Sequence, residues 1–410
     1  MPFARAKRNI IRNRLHKKDK IMRIAQIAPP WIAIPPKNYG GTESVIYNLV
    51  EQQVAQGHDV TLFAPGDTQT SAKLVSFFPK SLLREGVPWT MHLKAFYHLQ
   101  KSLEVINTQN FDIVHTHLSS GADLYVFPLT ANLSTPHVTT LHSHFPFDHG
   151  ISGWVGNADR YYMDWAPSVP IVSISEAARA QTKEPLNFVG VVYNGIEVKQ
   201  LPPTRKKRDT YFTWLGRFVP EKGPHLAIEA AKQANVPLIL AGTIDRHVKE
   251  SVTYFQEIIK PQVDGDQIKY IGPVNAQEKA RLLRGACGFL NPIEWEEPFG
   301  MVMVEAMAFG CPVISFARGA APEIVIHGQN GFLVQNLAEM IEYIPHINEI
   351  DRDALPIYVE QNFSAHAMAT KYQEIYEKVI SMSKTRKRAG KKASTKIAST
   401  FENPRVAVLQ

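Results

Sequence analysis

EEPFGMVMVEAMAFGCPVI runs from Glu296 to Ile314. After Pro298 it reads as a helix whose positions are almost all apolar or small. A helix apolar on every side belongs in a protein interior. Glu305 interrupts the run, and an unpartnered carboxylate is costly to bury, so it pairs, neutralises or faces a polar cavity. Pro298 is expected in the first helical turn, with Glu297 at its entrance. Phe299, Gly300 and Met301 then offer backbone N–H groups with no partner inside the helix, a setting that attracts an anion. Glu305, about two turns further in, is placed to accept hydroxyl hydrogen bonds from a sugar ring without a protein cation. The competing reading is a buried ion pair with Lys or Arg.

Around this stretch, compact apolar runs alternate with helical patterns. YFTWLGRF, PLILAGT, IKYIGPV, GFLNPIE and PVISFA read as strands, with GPHLAIEAAKQA and EKARLLRGA as helices between them. The first half repeats the scheme with MRIAQIAP, HDVTLFAP, FDIVHTH, HVTTLHS and PIVSISE, and with TESVIYNLVEQQVAQ at helical spacing. Such alternation predicts α/β architecture with parallel sheets covered on both faces. The Pro-rich, charged VKQLPPTRKKRDT (198–210) reads as a linker. Two α/β domains are therefore expected, over 22–200 and 201–363. SAHAMATKYQEIYEKVI supplies a last helix, over about 364–383.

The 410 residues are 44% hydrophobic and 20% charged, an ordinary globular balance. Two cysteines, Cys287 and Cys311, rule out a disulfide framework and a cysteine metal cluster, and suit a reducing cytoplasm. The net charge of +7 is uneven: residues 1–20 and 384–410 each hold eight Lys/Arg and one acid. The body is left acidic, which argues against nucleic acid as a partner. The segments 1–21 and 384–410 read as basic tails, the second one disordered. Solubilising, disordered extensions are the simpler expectation for them, and contact with an anionic membrane surface the sharper one. No apolar run is long enough to span a bilayer. Arg23, Gln26 and nearby prolines break the pattern of a signal peptide.

Ligands of open parallel sheets sit beyond the strand carboxyl ends, so the cleft between two such domains is the expected site. Gly40-Gly41 precedes a helix and suits close approach of an anion, or is a flexible loop. Arg217 and Lys222 in LGRFVPEKG can present two cations to a phosphate group, or are solvated loop charges. His115 with His117, and His142 with His144, each share a strand face. No zinc spacing accompanies them, so cleft or core hydrogen bonding competes with a metal. Asp264-Gly265-Asp266 and Asp351-Arg352-Asp353 read as turns.

Together these residues resemble glycosyltransferase family 4, retaining enzymes of the GT-B fold that use nucleotide sugars, over Met22 to about Ser383. Glu297 and Glu305 within EEPFGMVMVEAMAFGCPVI carry most of the likeness. GRFVPEKG, YNGIE, SISE, GAAPEIV and GQNGFLV follow in the family's order, and YGGTE with WEEPFG resembles the subgroup of an avilamycin-pathway transferase. The resemblance implies two Rossmann-like doubly wound domains facing a central cleft, with the final helix crossing back to the first. It implies that Glu305 holds ribose hydroxyls and that Glu297 contacts the donor sugar. Arg217 and Lys222 would bind the diphosphate, and Gly300, Met301 and Val302 would touch sugar and phosphate through their backbone. Gly41 would line the donor site, His142 would sit near the anomeric centre and Val274 would lie by the base. The implied activity is transfer of a hexose from a UDP-sugar, or a GDP-sugar, to a hydroxyl acceptor without a metal or other cofactor. The implied location is cytoplasmic, at the inner face of the membrane if the tails bind there. A non-catalytic nucleotide-sugar or glycan binder of the same fold is the alternative. Glu197 in NGIE departs from the family, where many members have Asp.

Overall fold

The computed structural model describes residues 21–37, 40–147, 158–197, 210–245 and 248–398. The N-terminal basic segment 1–20, most of the expected linker (198–209) and the chain beyond 398 lie outside the described residues.

Two parallel sheets organise the chain. The first runs in the order β3-β2-β1-β4-β5-β6-β7. Its strands are β1 (Arg23–Ile27), β2 (Asp59–Phe63), β3 (Lys73–Val75), β4 (Ile113–Leu118), β5 (His137–Leu141), β6 (Ile171–Ser173) and β7 (Phe188–Val191). The second runs in the order β10-β9-β8-β11-β12-β13. It is built from β8 (Phe212–Arg217), β9 (Leu238–Thr243), β10 (Ile268–Tyr270), β11 (Gly288–Asn291), β12 (Val313–Phe316) and β13 (Gly331–Val334). Every position of β4, β5, β11 and β12 is buried, as parallel strands covered on both faces require. All the strands expected from the sequence are present. β3, β7 and β13 are additional, and each is an edge strand of three or four residues.

The last helix, Ala365–Ala398, returns to the first sheet. Met368, Ala369, Tyr372, Ile375, Tyr376 and Val379 form one stripe of it, buried in the same cluster as Ile24, Leu49, Val60 and Ile113. The stripe follows helical spacing, so one face alone carries the packing. The crossing is held by Ile196 N–H donating to Phe363 O at 2.9 Å and Ala365 N–H donating to Ile196 O at 2.8 Å. The helix continues to Ala398, so residues 384–398 are helical where the sequence suggested disorder. Lys, Arg and Ala favour helix, and extending a nucleated helix costs little.

Truncation after residue 383 removes none of the buried stripe and should leave Tm within about 2 °C, the shift expected from less than 1 kcal/mol. Truncation after residue 364 uncovers that stripe and should abolish the cooperative unfolding transition. Calorimetry of both chains checks this.

Candidate active site

Both sheets reverse their strand order beside their first strand, between β1 and β4 and between β8 and β11. Such switch points open crevices at the strand carboxyl ends. Gly40 and Gly41 come after β1, His117 lies near the end of β4, and His142 directly follows β5. Arg217 ends β8, and Glu294 to Glu297 follow β11.

The second sheet supplies the charged wall. Lys222 closes a short 3-10 turn, Pro220–Lys222, whose last carbonyl accepts from Trp214 Nε1 at 3.0 Å. Gly223 follows at φ +67°, and a Cβ there would lie 2.0 Å from Pro292 O, so the turn is pressed against the exit of β11. Lys222 Nζ pairs with Glu297 and sits 4.9 Å from the centre of the Trp295 ring. Trp295 Nε1 donates to the same carboxylate at 3.1 Å. Lys222 is thus already matched to Glu297, where the sequence suggested two cations free for a phosphate.

The apolar helix starts at Met301, later than the sequence predicts. Pro298 is outside it, its carbonyl accepting from Ser175 Oγ at 2.6 Å. Phe299 is buried and packs near Tyr193 and Phe363. Gly300 caps the helix at φ +91°, a left-handed turn that suits glycine. The first-turn N–H groups therefore begin with Met301 and Val302, and Phe299 adds none. Met301, Val302, Glu305 and Phe309 are half-buried while Met303, Val304, Ala306 and Met307 are buried, so the helix is not enclosed all round.

Glu305 faces Lys279, whose Nζ donates to Oε1 at 2.6 Å. The expectation that Glu305 is satisfied without a protein cation is therefore corrected: it has a lysine partner, in a pair that is part-exposed rather than buried. Both side chains keep about a quarter of their exposure, 27% and 24%, so the pair is open to the crevice. Lys279 belongs to the helix Ala276–Gly285, capped by Asn275 Oδ1 with Glu278 in a capping box. Val274, half-buried, leads into that cap. A lysine in a helical run offers no sequence signal for this pairing. The DxD strings are turns: Asp264 Oδ1 accepts from the N–H groups of Asp266 and Ile268, and Asp351 Oδ1 from that of Asp353.

The first sheet supplies a more neutral wall. Gly41 opens the helix Gly41–Ala55, and a Cβ there would meet nothing within 4 Å. Gly40 is buried against Pro36 and Glu43. Glu43 is 6% exposed, and burial, with a smaller push from Asp123, raises its pKa to about 7. Asp123 Oδ2 accepts from the N–H and hydroxyl groups of Ser119 and Ser120 at 2.9–3.1 Å. The histidines are hydrogen-bonded to one another and to neighbours. His117 Nδ1 lies 2.9 Å from His142 Nε2, and His115 contacts Tyr376 and Thr140. Burial lowers the pKa of His142 to about 3 and those of His115 and His117 well below the usual value. Among the described residues, no group of three or more His, Cys, Asp and Glu could hold a metal ion.

The walls meet through contacts that the sequence did not single out. His144 Nε2 donates to Glu296 O, and its ring is edge-on to Trp295 at 5.8 Å. Glu323 accepts from the N–H groups of Glu176 and Ala177 at 2.9 and 2.7 Å, capping the helix Glu176–Gln181 across the crevice.

Two family models match the chain: glycosyltransferase family 4 over residues 39–200 and glycosyl transferases group 1 over residues 197–356. An uncharacterized glycosyltransferase of Methanocaldococcus jannaschii is 31% identical over 271 residues, 62% of this chain and 71% of that protein. The chain belongs to the family 4 glycosyltransferases. Its fold is GT-B, shared with the solved glycosyltransferase of avilamycin A biosynthesis at a TM-score of 0.62 and 20% identity, over 88% of this chain and 98% of that one. The Anabaena protein HepE, solved in complex with UDP-glucose, aligns with a TM-score of 0.60 and 20% identity over 88% of this chain and 100% of that one. In this glycosyltransferase Glu297 and Glu305 both belong to the wall built by the second sheet, each matched to a lysine.

Glu43 gives a pH-dependent prediction. Its native pKa of about 7 lies above the ordinary 4.5, so the native state holds the proton more tightly than the unfolded chain. Stability from this group is present at pH 4 and is lost as pH rises to about 7, by on the order of 2–3 kcal/mol. Glu43→Gln should therefore raise Tm at pH 8 and change it little at pH 5, as read by thermal melts across that range.

Proposed function

We propose that this glycosyltransferase moves a hexose from a nucleoside diphosphate sugar, UDP-glucose foremost, to a hydroxyl acceptor with retention of configuration and without a metal. The observation that carries the reading is one wall at the ends of β8 and β11 that combines Arg217, the Lys222–Glu297 pair, the helix start at Met301 and the Lys279–Glu305 pair. A departing diphosphate gains negative charge as its bond to the sugar breaks. Arg217, Lys222 and the N–H groups of Met301 and Val302 stabilise that charge, the work a metal performs elsewhere.

Glu305, neutralised by Lys279, accepts from the ribose hydroxyls without standing as an isolated charge. Val274 lines the side of the base, and Gly41 leaves open space beside the donor. Glu297, oriented by Trp295 and Lys222, contacts the donor sugar, with Gly300 at its shoulder and His142 across the crevice. The bond between the anomeric carbon and the phosphate oxygen breaks, the acceptor oxygen bonds to the same face, and the acceptor proton goes to the departing phosphate. The Anabaena complex with UDP-glucose supports the choice of uridine. The acceptor is a hydroxyl of a glycan, a lipid-linked sugar or a small molecule.

A thermal-shift panel of UDP-glucose and GDP-mannose tests the donor. The true donor at 100 times its Kd should stabilise by about 2.7 kcal/mol. Equal shifts with both would remove the uridine preference. Arg217→Ala or Lys222→Ala should lower kcat/KM for that donor about tenfold or more, since a charge-assisted bond is worth ~1.5–3 kcal/mol. Near-normal turnover by the double variant would end the diphosphate assignment. Glu305→Gln should weaken UDP binding, measured by calorimetry, with Tm changed little.

A further inference from the structure

A chain of buried polar groups runs from His142 to the last helix. His142 Nε2 lies 2.9 Å from His117 Nδ1, and His117 Nε2 lies 3.0 Å from Gln26 Oε1. Gln26 Nε2 donates to Gln53 Oε1 at 2.9 Å and to Tyr376 OH at 3.2 Å, and Gln53 Nε2 donates to Tyr376 OH at 3.0 Å. Tyr376 OH lies 2.7 Å from His115 Nδ1, and His115 Nε2 lies 2.6 Å from Thr140 Oγ1. Gln26, Gln53, His115, His117, Thr140 and Tyr376 are all buried.

The protons in this chain point one way. Tyr376 OH receives two amide donors, so its single proton goes to His115 Nδ1. His115 then donates from Nε2 to Thr140. Gln26 spends both donors on Gln53 and Tyr376, so its oxygen takes the proton of His117 Nε2. A neutral His117 is left with Nδ1 as an acceptor, and the proton between the two imidazoles belongs to His142 Nε2. Reversing both amides would set the Gln26 oxygen against the Tyr376 hydroxyl, whose one proton is then taken by Gln53, so the network would lose the Gln26–Tyr376 hydrogen bond.

We propose that Tyr376, Gln26 and His117 are positioning residues that hold His142 as the Nε2–H tautomer, with Nδ1 kept as a hydrogen-bond acceptor for a hydroxyl of the sugar donor. The assignment of a donor hydroxyl rests on the proposed function; the tautomer does not. His142 is half-buried at the carboxyl end of β5, and Nδ1 has no protein partner among the described residues. Because Tyr376 comes from the last helix, the segment that returns after the second sheet completes the setting of a residue in the first.

The test is ring-nitrogen NMR of the full chain labelled with 15N-histidine, with His142 assigned by His142→Gln. The expected spectrum shows His142 protonated at Nε2 and bare at Nδ1. A proton on Nδ1, or fast exchange between tautomers, would overturn the proposal whether or not UDP-glucose is a substrate. Two variants add the functional arm. His117→Asn places an amide oxygen near the site of the lost Nδ1, whereas His117→Leu offers no acceptor. His117→Leu should release the tautomer and lower kcat for UDP-glucose turnover about tenfold with KM little changed, and His117→Asn should recover most of the loss. Equal losses in both variants, tracking equal falls in Tm, would reduce the network to a structural role. A wild-type chain with the expected tautomer but no UDP-glucose turnover would count against the donor and leave the positioning intact.

Discussion

Ser175 Oγ donates to Pro298 O across the crevice while accepting from Ala178 N–H, so one hydroxyl caps a helix of the first wall and fixes the backbone of the second. Much of the site depends on that bond. With its carbonyl held, Pro298 stays outside the helix, Phe299 turns into the core, and Gly300 takes the left-handed turn from which the helix starts. The N–H groups of Met301 and Val302 and the carboxylate of Glu305 then face the crevice. Glu323, on the helix N-terminus that Ser175 caps, adds an acceptor where the dipole is most positive.

Glu297 and Glu305 in the charged wall are each paired with a lysine. Glu297 with Lys222 and Glu305 with Lys279 are part-exposed pairs, which lowers their desolvation cost relative to buried ones. The arrangement keeps both carboxylates part-exposed while each holds a cation. The first wall works by the opposite means. His115 and His117 are buried and His142 half-buried, burial holds all three neutral, and hydrogen bonds rather than charges set their orientation. One wall therefore stabilises charge, and the other presents neutral donors and acceptors to the same space.

The last helix links these features. It packs one apolar stripe on the first sheet and inserts two tyrosine hydroxyls into a polar core that is otherwise made by β1, β4, β5 and the helix Gly41–Ala55. A buried network with all partners present favours one arrangement over near alternatives. The return of the chain thus contributes both apolar burial and polar definition.

Apolar runs bounded by turn residues marked the central strands, because strands buried on both faces are unbroken in sequence. The same runs marked the α/β class and the positions of Arg217 at the end of β8 and of Lys222 and Glu297 in the segments that follow strands. β3, β7 and β13 were not legible, since a three- or four-residue edge strand exists only where a neighbour offers free backbone groups. The helical continuation past residue 383 was hidden by a composition that also suits disorder. The start of the helix at Met301 and the pairing of Lys279 with Glu305 had no local signal. Nor did the bond from Ser175 to Pro298 or the ordered protons from Tyr376 to His142. Local periodicity determined which residues form strands and helices. Which side chains meet was decided only in the tertiary structure, because those partners lie 25 to 350 residues apart and contact depends on how two sheets and a returning helix are packed.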